Sequence, residues 1–86
     1  MRKETRAILT MVEMLKADGV TEWQTSLNGL TKDYEDVIVT KVYMKGICLM
    51  AEFKLDYDDD SAVTENMPIN VLSEGTIILL SEFMGQ

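Results

Sequence analysis

The stretch 37–55, VIVTKVYMKGICLMAEFKL, constrains this chain more than any other part of it. Val37, Ile38, Val39, Thr40, Val42 and Tyr43 are β-branched or aromatic. Such side chains fit a pleated, half-buried surface better than a helix. Gly46 supplies the positive φ that a tight hairpin turn requires. A two-residue turn at Lys45-Gly46 then predicts strands over about 37–44 and 47–55. In that register Met44 faces Ile47, Val42 faces Leu49, Thr40 faces Ala51 and Ile38 faces Phe53. One face is nearly all apolar and belongs against a core. The other holds Val37, Val39, Lys41, Tyr43, Cys48, Met50, Glu52 and Lys54, a mixed set in which a threonine at position 39 should cost little. A slip of one residue exchanges the two faces.

The flanking segments supply partners for this hairpin. Over residues 2–18, Ile8, Met11, Val12 and Leu15 recur at helical spacing, with Ala7 and Met14 beside them and Gly19 placed to end the helix. Residues 21–34 carry two competing signals. Thr21-Glu22-Trp23-Gln24 matches a capping box for a short helix. Asn28-Gly29 is instead a hairpin signal that sets Trp23 opposite Tyr34, and the strand reading is the favoured one. Residues 56–66 are polar and read as an acidic loop. Pro68 suits the first turn of a short helix that Gly75 ends. The run Thr76-Ile77-Ile78-Leu79-Leu80 predicts a buried strand over 76–82, with a helix closed at Gly85 as the alternative. The expected class is α+β. One domain spans 1–86, with an N-terminal helix packed on a three- to four-stranded, mainly antiparallel sheet centred on the 37–55 hairpin.

A chain of 86 residues buries roughly 60–65% of its unfolded surface, which is enough for one modest core. The single cysteine allows no intrachain disulfide and suits the reducing cytoplasm. No apolar run approaches the ~20 residues of a membrane span. The net charge of −7 is unevenly placed. Residues 1–54 hold eight acidic and eight basic side chains, whereas residues 55–86 hold seven acids and no lysine or arginine. The whole excess therefore lies in the last third.

The missing chemistry is equally informative. There is no histidine, hence no conventional triad or usual general base. With one cysteine as well, a structural zinc site of ordinary ligand count cannot be built. No glycine-rich phosphate loop occurs. The Asp56-Tyr57-Asp58-Asp59-Asp60 run matches calcium-loop spacing at its first three ligand positions. It then fails where glycine and glutamate are needed, since Ser61 and Met67 stand there. The sequence predicts no enzyme, no metal, no cofactor, no membrane contact and no direct nucleic-acid binding. It points instead to a small acidic protein that works by binding another protein through a basic surface of that partner. Asp56, Asp58, Asp59, Asp60 and Glu65 are the candidate acidic surface, and an inhibitor of a nucleic-acid-binding protein is one form this takes. The alternative is a homo-oligomeric accessory protein, such as a homodimer. It would assemble through Val37, Val39, Tyr43 and Met50 on the second hairpin face, or through a sheet edge.

Overall fold

The computed structural model describes residues 1–55 and 63–86. The elements run α1 (Lys3–Asp18), β1 (Glu22–Leu30), β2 (Asp36–Lys45), β3 (Cys48–Leu55), β4 (Thr64–Pro68), a 3₁₀ turn (Ile69–Val71) and α2 (Glu74–Met84). The strands form one antiparallel meander in the order β1-β2-β3-β4. Both helices pack on the same face of it, so the fold is α+β. Ala7, Met11 and Leu15 of α1, four residues apart, are buried against the sheet together with Ile77 and Leu80 of α2. Gly19 closes α1 in the left-handed conformation, φ 68°. The Gly19 and Val20 N–H groups donate to the carbonyls of Lys16 and Leu15, satisfying two otherwise orphaned acceptors.

The central hairpin forms, but its register differs from the expected one in two places. The turn residues are Gly46 and Ile47, because Lys45 pairs with Cys48. Gly46 takes φ 63° at the first central position, the arrangement of a II′ turn. Met44 therefore faces Leu49 and Val42 faces Ala51, which changes partners without changing faces. Val42, Leu49, Ala51 and Phe53 are buried as expected, while Ile47 is exposed at the tip.

The second difference does change faces. Thr40 is an extra residue between the pairs Val39–Phe53 and Lys41–Glu52. Such a bulge inverts the inward and outward parity of everything beyond it. Val37 and Val39 consequently point into the core, fully buried, and Ile38 turns outward. Thr40 Oγ1 lies 3.1 Å from the Glu52 carbonyl and 3.0 Å from Glu52 Oε2, so its hydroxyl holds the bulge against β3. The irregularity continues into the neighbouring strand, where Thr25 and Ser26 lie between the pairs Gln24–Lys41 and Leu27–Val39. Val39→Thr should thus cost about 1–3 kcal/mol by burying a hydroxyl without a partner. The same change at half-buried Ile38 should cost less in parallel urea melts.

Three further expectations are corrected. Residues 21–34 form neither a hairpin nor a short helix; β1 runs straight through Asn28-Gly29 and pairs with β2 along its length. Gly29 is there for another reason. A Cβ on it would lie 2.5 Å from Thr76 Cγ2, because the first turn of α2 sits directly against the strand. Ser73 N–H donates to the Leu30 carbonyl at 2.8 Å, and Leu30 N–H donates to Thr76 Oγ1 at 3.0 Å, which fixes that contact. The polar stretch expected as a loop over 56–66 gives way to β4 from Thr64 onward. Finally, 76–82 is helical, not a strand. Ser73 caps α2 by accepting from Thr76 N–H at 3.2 Å, and Gly75, expected to end a helix, lies inside this one.

Candidate functional site

The β1–β2 connection and the start of β4 meet at the same end of the meander, and there Asp33, Glu35 and Glu65 come together. Thr31 builds that connection. Its buried hydroxyl oxygen accepts from Asp33 N–H at 3.2 Å and from Glu35 N–H at 3.1 Å. Its main chain exchanges bonds with the same segment, Thr31 N–H donating to Glu35 O and Tyr34 N–H to Thr31 O, each at 3.0 Å. The resulting tight loop forces Tyr34 to φ 65°, an uncommon conformation for a bulky side chain, and leaves it 83% exposed. Lys32 is turned away toward the helical layer. Its Nζ lies 3.0 Å from Glu4 Oε1 and donates to the Asn70 carbonyl. The acidic side chains beside it are therefore left without that counter-charge.

Between this loop and β4 lies a groove of about 330 Å³. Phe53, Leu55, Met67 and Val71 make its apolar surface, and Asp33, Glu35 and Glu65 supply three carboxylates. Glu65 pairs with Phe53 across the β3–β4 ladder and Met67 with Ala51, so both project on the helix-bearing side of the sheet. Neither ion pair among the described residues involves Asp33, Glu35 or Glu65. No group of three or more His, Cys, Asp or Glu side chains among the described residues is placed to hold a metal ion. The groove suits an organic cation with an aliphatic stem: the stem lies along the apolar surface and the charge reaches the carboxylates.

A larger depression, about 400 Å³, lies between the end of β1 and the start of α2. Its hydroxyls are already engaged, since Ser73 Oγ and Thr76 Oγ1 are 2.8 Å apart and also cap the helix and bind Leu30 N–H. It offers little for recognition.

Of the acidic residues singled out from the sequence, Glu65 is exposed at the groove, while Asp56, Asp58, Asp59 and Asp60 lie outside the described residues. Asp33 and Glu35 were concealed by arithmetic. The balance of charges over 1–54 hides the fact that Asp33, Glu35 and Asp36 fall within four residues beside a chain reversal. The four residues assigned to an assembly face do not share one. Val37 and Val39 are in the core, whereas Tyr43 and Met50 lie half-buried on the outer sheet face. There the Tyr43 hydroxyl donates to Asn66 Oδ1 at 2.8 Å, and Lys41 Nζ stands 5.0 Å from the ring centroid. Glu52 completes this polar network, 4.0 Å from Lys41 Nζ.

No protein-family model, curated protein or solved structure matches this chain. No helix among the described residues is long and apolar enough to cross a membrane.

Proposed function

We propose that this protein is a non-catalytic binding protein of the cytoplasm that offers the acidic end of its sheet to a basic surface on another protein. The observation carrying this reading is the groove that places Asp33, Glu35 and Glu65 around the apolar patch of Phe53, Leu55, Met67 and Val71. Uniform surface charge serves solubility wherever it sits. Carboxylates grouped around an apolar recess, on a chain of net charge −7, attract a cationic side chain and shelter its stem. A nucleic-acid-binding protein carries a surface of the required sign, and occupying that surface would inhibit it. The absence of histidine, with no metal or phosphate motif in the sequence, leaves binding as the favoured activity.

Affinity capture from the native host tests this reading when wild type is compared with the triple variant D33N/E35Q/E65Q. These substitutions keep size and remove three charges from exposed positions, so each should alter stability by less than ~0.5 kcal/mol. A partner held by wild type should be released as salt rises and should be lost from the variant, chiefly through slower association. Capture that is indifferent to both changes would contradict the acidic-end reading.

A further inference from the structure

The edge strand beside the groove suggests how a basic partner engages it, an inference that rests on the acidic-end reading. β4 pairs only with β3 and is the last strand of the meander. All five of its residues, Thr64–Pro68, are exposed, and no described strand lies along its outer edge. An open edge presents unpaired main-chain donors and acceptors, a template for one more strand. We propose that β4 receives an extended basic segment of a partner protein as a fifth strand, with a lysine or arginine beside Glu65 and an apolar side chain beside Met67.

The spacing follows from the ladder. Alternate side chains of an added strand project to the same face, so a cation and an apolar residue two positions apart both fall on the groove side. Glu65 and Met67 are themselves two apart and project there. Asp33 and Glu35, which line the same groove, lie within the recess the cation enters. Thr64, Asn66 and Pro68 face the other way and ask little of the partner, and Pro68, lacking an N–H, marks the end of the pairing edge.

The same charge that admits a basic strand rejects the commonest intruder at an open edge. The TENMP sequence of β4 contains Glu65 and no cation. A second copy would bring a like charge and a second acidic end to this position, and opposed like charges across strands are destabilising. Main-chain bonds then supply affinity for any strand, while Glu65 and Met67 select the basic and apolar pattern.

The test uses a blocked seven-residue peptide alternating threonine with arginine, valine and arginine, and a version N-methylated at every residue, which has no main-chain donor on either edge. Both carry the same charges, and methylation at alternate residues alone would leave one edge of the peptide free to pair. Titration calorimetry on the whole chain should show the unmethylated peptide binding about tenfold more tightly, the effect of losing two or so main-chain hydrogen bonds. Its binding should slow hydrogen exchange at β4 amides. Glu65→Lys, checked for an unchanged thermal melt, should weaken it at least about fivefold through reversal of a cross-strand charge pair. Equal binding of the two peptides, lost in D33N/E35Q/E65Q, would overturn strand addition and leave the acidic-end reading standing. Failure of both peptides to bind at millimolar concentration would overturn the two together.

Discussion

Replacing Phe53 with alanine is expected to lower the unfolding free energy by about 3–5 kcal/mol, the range for truncating a buried aromatic side chain. Phe53 is 2% exposed and sits on β3, an inner strand with neighbours on both sides. It opposes Val39 on β2 and Glu65 on β4, so its ring packs beneath the sheet while its edge borders the groove. A chain of this size can collapse little around such a void, because the same ring contacts the core and forms part of the recess. The loss should appear as a lower urea midpoint at unchanged slope. A loss below about 1 kcal/mol would mean that the strand presents its other face to the core.

Ile77→Ala and Leu80→Ala are each expected to cost about 2–5 kcal/mol. Both side chains are fully buried. Residues three apart share a face on a helix but point to opposite faces of a strand. Two large losses fit the helical arrangement of α2, although a strand buried on both faces would show them as well. Leu79, between them in sequence and 38% exposed, provides the internal contrast: its truncation should cost much less. Large losses at 77, 79 and 80 alike would restore the buried strand.

These experiments mark where the sequence was readable. The α1 periodicity and the Gly19 stop were legible because polar and apolar residues alternate at helical spacing there. The central hairpin was legible in kind, since β-branched residues surround a glycine turn. Its far half was not. Val37, Ile38 and Val39 are all apolar, so either parity gives a plausible core, and the decision falls to a bulge held by Thr40 and Glu52, a contact between residues 12 apart in sequence. The continuous apolar run of α2 concealed its period in the same way. Its helix start was written in Ser73, whose side chain caps the first turn.

The candidate site shows the opposite case. Glu65 stood out because its third of the chain contains no cation. Asp33 and Glu35 became relevant only through topology, since a meander returns every second connection to the same end of the sheet. Their partner surface, the Phe53, Leu55, Met67 and Val71 patch, is drawn from three separate elements and leaves no local signature. β4 escaped notice because an exposed edge strand has no buried face to impose alternation.

We propose the acidic end between the 31–35 loop and β4 as the surface that meets a basic partner. Amide chemical shifts of the ¹⁵N-labelled chain, followed during titration with an oligo-arginine peptide, test it most directly. The shifts should concentrate at 31–36 and 63–67, with Asp33, Glu35 and Glu65 among the largest, and should shrink as salt rises. Shifts centred on the Lys41, Tyr43 and Glu52 face, with Asp33, Glu35 and Glu65 unmoved, would contradict it.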